Sequence, residues 1–159
     1  MKNKIRLGIL GGGGDSLIGI VHRIASSMHD SYKIIGGVFN PDYNENLKFA
    51  EEIGLDKKRI YEDYEKMIEE ELKLDESERV QVVSILTPNF LHYPMAKKLL
   101  ENNFNVICEK PMTTTYAEAK DLENIYKSKN LTFAVTYTYT GYPMTVSYTH
   151  LTLPTIYSV

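Results

Sequence analysis

Cysteine occurs once in this chain, at Cys108, and a single thiol cannot cross-link a fold. A disulfide-built extracellular scaffold is therefore excluded, and a reducing cytoplasm is the expected location. Long apolar runs are equally scarce. The first, Ile5 to Leu10, is too short for a signal peptide and ends in glycines. Basic residues cluster only in pairs such as Lys57-Lys58 and Lys97-Lys98, and the net charge is −3, so neither nucleic acid nor a membrane is indicated as a partner. No set of Cys, His and carboxylate residues has metal-ligand spacing, and no Ser or Cys nucleophile signature is present. No internal repeat or low-complexity segment breaks the pattern. The acidic stretch from Glu69 to Glu78 reads as the solvated face and exit of a helix.

What is present is an alternation of short apolar runs with helical patterns. Ile5 to Leu10, Tyr32 to Phe39, Val80 to Leu86, Asn105 to Cys108 and Leu131 to Val135 are rich in Ile and Val and predict strands. Helices are expected at Leu17 to Met28, Tyr43 to Ile53, Glu62 to Leu74, Leu91 to Glu101 and Tyr116 to Lys127. Arg59 to Tyr61 is a candidate for one further short strand. Strand, helix, strand in steady order predicts the α/β class: a doubly wound parallel sheet, or Rossmann fold, with right-handed crossovers and strand order 3-2-1-4-5-6.

In such a sheet the carboxyl ends of the strands share one rim, where ligands bind. Here those ends carry chemistry. Gly11 to Gly14 close the first strand and a helix opens after them, so backbone without Cβ can approach a pyrophosphate and helix-start amides can hold it. Gly19 follows Gly11 by eight positions, where the G-x-G-x-x-G motif puts its third glycine five positions on. Asn40 ends the second strand. Thr87-Pro88-Asn89 and Glu109-Lys110-Pro111 end the next two long ones, with Tyr137 to Tyr139 after the last. Val106, Ile107 and Cys108 lack alternation, so Glu109 and Lys110 are expected to emerge where a strand covered on both faces runs out. A Lys there can handle a proton. His22 sits among Ile18, Val21 and Ala25 and reads as a packed, hydrogen-bonded residue, while Cys108 reads as a buried apolar filler.

These residues resemble the Gfo/Idh/MocA oxidoreductases, the family named for glucose–fructose oxidoreductase and inositol dehydrogenase. The likeness rests on Ile18-Gly19 with His22, Thr87-Pro88-Asn89 with His92, and Glu109-Lys110-Pro111, and covers Ile5 to about Met144. It implies a dehydrogenase acting on a sugar, cyclitol or related polyol, with NAD or NADP as cofactor. Lys110 would lie by the nicotinamide and the substrate hydroxyl as the catalytic residue, Glu109 would help fix it, and the Lys110-Pro111 bond would be cis. Cofactor contacts are expected from Gly11, Gly13, Gly14, Asn40, Thr87, Pro88, Asn89, Glu109 and Lys110. His92 is either a nicotinamide-side or substrate-side residue or a helix cap. The resemblance also implies a second α/β domain, missing from this chain, that supplies an acid/base His, the substrate pocket and homo-oligomer contacts. After the second strand Asn40-Pro41-Asp42 stands where NAD-preferring relatives commonly carry an acidic residue. Asp42 is a candidate for the ribose and no Arg stands beside it for a 2′-phosphate, which favours NAD while leaving NADP open. Two other readings of the same scaffold stay open: a glycosidase using NAD transiently, and a non-enzymatic dinucleotide sensor.

The end of the chain reads differently. Val146 to Thr155, VSYTHLTLPT, matches residue for residue the translation of a transposase sequencing adapter. The dinucleotide-binding domain is therefore expected to occupy residues 1–144 and a non-native tail residues 145–159.

Overall fold

The computed structural model describes residues 4–156. Residues 1–3 and the last of the expected tail, residues 157–159, lie outside the described part. Five parallel strands form one sheet: β1 (Ile5–Gly11), β2 (Tyr32–Val38), β3 (Val82–Leu86), β4 (Asn105–Glu109) and β5 (Phe133–Thr136). They lie in the order β2-β1-β3-β4-β5, so the direction of winding reverses between β1 and β3. The helices are α1 (Leu17–Ser27), α2 (Tyr43–Glu52), α3 (Tyr64–Leu72), α4 (His92–Glu101), α5 (Tyr116–Ser128) and α6 (Pro143–Ile156). The expected short strand at Arg59 to Tyr61 shrinks to a single parallel bridge, Gly37 to Ile60, beside β2.

Helices α2, α3 and α5 start where the sequence offers a carboxylate or hydroxyl cap. Asp42, Asp63 and Thr115 accept hydrogen bonds from main-chain N–H groups at the starts of α2, α3 and α5, and Thr115 with Glu118 completes a reciprocal capping box. The Asp63 cap explains why α3 begins at Tyr64 and not at Glu62. β3 starts at Val82, later than the apolar run, where the Val80 N–H is drawn to the Glu71 carboxylate.

The sheet has one deeply buried face. Beneath α3, α4 and α5, Met67, Ile68, Ala96, Leu99, Leu100 and Leu122 pack on Val83, Ile85, Val106 and Cys108. On the opposite face α2 contributes Phe49 and Ala50, and α1 contributes Ile18, against Leu7, Ile9, Val82 and Leu86. There α1 leaves Leu17, Val21, Ile24 and Met28 exposed. Burial also holds one ion pair: Glu71 is fully buried and accepts from Arg59, Tyr61 and the Val80 N–H, which satisfies a charge that would otherwise be costly. The tail, to which the sequence assigned no element, is helical in α6, with Pro143 to His150 exposed.

Candidate active site

The glycine loop bridges β1 and α1. Gly11 and Gly12 have φ of +82° and +69°, left-handed backbone that glycine adopts without strain. Gly19, in the first turn of α1, is buried, and a Cβ there would lie 1.8 Å from the Gly12 carbonyl oxygen. Gly19 thus takes the third-glycine role of close helix-to-strand packing despite the longer loop. A Cβ on Gly13 would meet the Phe39 carbonyl oxygen at 2.7 Å. Side chains at Gly11, Gly13 and Gly19 would collide with neighbouring backbone, so the loop forms a cradle of bare main chain, and Ser16 caps α1 by accepting from Gly19 N–H.

Two cavities follow the rim. The first, about 500 Å³, is lined by Gly11, Gly12, Gly13, Ser16, Asn40, Thr87 and Pro88, with Tyr64, Leu91 and Met95 as apolar walls. The second, about 400 Å³, is lined by Thr87, Asn89, His92, Glu109 and Lys110, with Leu17, Ile18 and Tyr139. Thr87 lines both, so the two make one run across the switch between β1 and β3. Lys110 also lines a third cavity of about 480 Å³ with Pro111, Met112 and Tyr137 to Thr140. Of the residues expected at the site, Gly14 lines neither rim cavity. Ser16, Tyr64, Leu91 and Met95 were not foreseen. They are apolar or neutral side chains with no motif of their own, visible only once the strand ends are set side by side.

Asp42, the expected ribose candidate, is engaged by its own helix. Asp42 spends Oδ1 on the N–H groups of Asn44 and Glu45 as the α2 cap and lines no rim cavity. Asn40 does line the first cavity, and its Oδ1 accepts from Asp42 N–H at 2.9 Å, which fixes the side-chain amide. Glu62 and Asp63 also line this cavity, and no Lys or Arg does.

At the end of β4 the sequence expectation needs one correction. Glu109 does not emerge from the strand; it is the last residue of β4, paired with Thr136 of β5, and only 6% exposed. The shared carboxylate oxygen Oε1 accepts from Thr136 and from His22 Nε2 at 2.9 Å, and Oε2 accepts from the Lys110 N–H at 3.2 Å. Burial pushes the Glu109 carboxyl upward, yet these donors outweigh it and hold the group below the usual carboxylate range. Glu109 therefore meets Lys110 at its main chain. Lys110 itself is exposed, and its peptide bond to Pro111 is cis. Burial, with the Glu109 charge beside it, pushes the Cys108 thiol up to about 12, which keeps it neutral and inert.

His92 is buried in the first turn of α4. Its Nδ1 is 2.7 Å from the Pro111 carbonyl oxygen and its Nε2 is 2.7 Å from that of Thr87. The ring ties the Thr87-Pro88-Asn89 turn to the Lys110-Pro111 turn. Among the described residues no group of His, Cys, Asp and Glu could hold a metal ion. No described helix is long and apolar enough to cross a membrane.

Residues 5–137 match the model of an oxidoreductase family with an NAD-binding Rossmann fold, GFO_IDH_MocA. The chain belongs to this family. Among its relatives is an uncharacterized oxidoreductase, YfiI, of Bacillus subtilis, 35% identical over 91% of this chain and 36% of that protein. The crystal structure of an oxidoreductase from Pseudomonas syringae is similar with a TM-score of 0.85 and 36% identity, over 89% of this chain and 38% of that one. An inositol dehydrogenase homolog from Azotobacter vinelandii, solved with NADH and myo-inositol, gives a TM-score of 0.84 and 35% identity, over 87% of this chain and 36% of that one. The chain thus spans little more than a third of the length of these relatives. What it contains is the NAD-binding domain of the family, and the cradle at Gly11 to Gly13 with the run of cavities beyond it fits a dinucleotide.

Proposed function

We propose that this domain is the dinucleotide-binding part of an oxidoreductase that moves a hydride between NAD and a hydroxyl-bearing carbon of a sugar, cyclitol or related polyol. The observation that carries the reading is the continuity of the rim: the glycine cradle, Asn40, the Thr87 turn and Lys110 line joined cavities across the switch point. NAD, when bound, supplies the hydride acceptor. The rest is work for side chains. Backbone amides of the loop and the start of α1 hold the pyrophosphate, Asn40 meets the adenosine ribose, and Tyr64, Leu91 and Met95 wall the adenine. Lys110, exposed where the second and third cavities meet, polarises or deprotonates the substrate hydroxyl and steadies the oxygen as negative charge develops on it. A second domain supplies the partner acid/base His and closes the substrate side. The myo-inositol bound by the solved relative supports a polyol. A first cavity lined by Glu62 and Asp63 and by no Lys or Arg supports NAD over NADP, because nothing there offers a 2′-phosphate a positive partner.

On this reading residues 1–144 are the domain and residues 145–159 are a non-native, adapter-derived tail. Calorimetry on the chain tests the cofactor assignment. NADH should bind, weakly because nothing closes over it, and NADPH should bind at least about tenfold more weakly, a difference of about 1.4 kcal/mol. No heat with either at millimolar concentration overturns the assignment; tighter NADPH binding overturns the preference.

A further inference from the structure

Two polar residues sit where apolar ones would pack at lower cost. Ser84 interrupts the run Val82-Val83-Ser84-Ile85-Leu86 in the middle of β3 and is 1% exposed. His22 lies on α1, its side chain only 15% exposed. Buried polar groups cost stability unless they are bonded, and these two are bonded to each other: Ser84 Oγ stands 3.2 Å from His22 Nδ1. The other ring nitrogen, Nε2, is 2.9 Å from Glu109 Oε1.

The inventory of donors orders this chain. An ionised carboxylate only accepts, so Nε2–H donates to Glu109. Nδ1 then accepts from the Ser84 hydroxyl, and one neutral tautomer completes both bonds. Thr136 adds a second donor to Oε1, leaving Oε2 for the Lys110 N–H. Both carboxylate oxygens are thereby fixed. Among the described residues the Lys110 ammonium has no ion pair of its own, so its aim depends on how its main chain leaves β4.

We propose that His22 is a positioning residue: anchored by Ser84, it holds the Glu109 carboxylate, which in turn holds the main chain of Lys110 at the end of β4. The role rests on the reading of Lys110 as the residue that meets the substrate hydroxyl, but the holding itself can be measured without substrate or cofactor. The titratable groups facing Glu109 are His22 from α1, Lys110 after β4 and Cys108 beside it on β4. The Cys108 thiol stays neutral throughout the acid range.

The test is NMR on the labelled chain with two substitutions. His22→Leu removes the donor; His22→Gln places an amide N–H near the position of Nε2. In the wild type the His22 ring should show Nε2 protonated and Nδ1 bare, and Glu109 should titrate below the ordinary carboxylate range. In folded His22→Leu burial is less opposed, so the Glu109 midpoint should rise. The Lys110 amide should exchange about tenfold faster, the scale of a lost hydrogen bond to a charged group. His22→Gln should restore both to within about threefold, well inside that range. Unchanged Glu109 titration and Lys110 exchange in His22→Leu would overturn the proposal, whatever Lys110 does in turnover. If His22→Leu does not fold, the wild-type ring decides: a bare Nε2 overturns the proposal, and a protonated Nε2 that Thr136→Val leaves in place upholds it.

Discussion

The two faces of the sheet are built on opposite terms. Beneath α3, α4 and α5, Met67, Leu99, Leu100 and Val106 are fully buried in one continuous apolar cluster, with the Glu71–Arg59 pair as its buried charge. Beneath α1 the central contacts are polar, running Ser84, His22, Glu109, Thr136, while Leu17, Val21, Ile24 and Met28 stay exposed on the helix. Apolar burial is non-directional and stabilises in proportion to area. Hydrogen bonds to a buried carboxylate are directional and set where a chain points. One face therefore supplies stability and the other supplies aim. The rim where both meet is where Lys110 leaves the sheet.

If that division is right, each face can be broken without the other. The largest effect belongs to the site. In the intact enzyme Lys110→Ala should lower turnover on the order of 10² to 10⁴-fold, the range for losing one general acid/base, with NADH affinity changed far less. Turnover within about threefold of wild type, outside that range, would remove Lys110 from the chemistry, as would the sensor reading. On the closed face, Leu100→Ala should destabilise by about 2–5 kcal/mol through lost burial and an unfilled cavity. Denaturant unfolding measures this, and the folded fraction should still bind NADH as the wild type does. A loss of NADH affinity in that variant would show that the faces are not separable. The smallest effect belongs to α6. Removing residues 145–159 should change stability by less than about 1 kcal/mol, as for an exposed terminus. A loss of several kcal/mol would mean that the tail is part of the fold.

Much of the closed face was legible in the sequence. The Ile- and Val-rich runs and the helical spacing between them located all five strands and the helices α1 to α5, because burial on both sides of a parallel sheet leaves a compositional mark. Caps then moved the ends by a residue or two, as with Asp63 at α3. The site was legible as a set of strand ends and not as a set of contacts. Glu109 and Lys110 were visible as a pair, but adjacency in sequence concealed that one is buried and the other exposed. The bond from His22 to Glu109 spans 87 positions and that from Thr136 spans 27, and no local pattern encodes such a meeting. An isolated His on an apolar helix face looks like packing, and here it is packing with a direction. Asp42, the ribose candidate, turned out to cap α2 for a local reason, since a carboxylate just before a helix is taken by the helix itself.

NAD should bind along the rim, from the glycine loop to Lys110. Amide shifts of the labelled chain, followed while NAD is added, report this residue by residue. The largest changes should fall on Gly11 to Gly13, Ser16, Asn40, Thr87, Asn89 and Lys110, with α3, α4 and α5 unaffected beyond the residues that wall the first cavity. Changes concentrated on the closed face, or none anywhere at millimolar NAD, would contradict the assignment of this rim as the cofactor site.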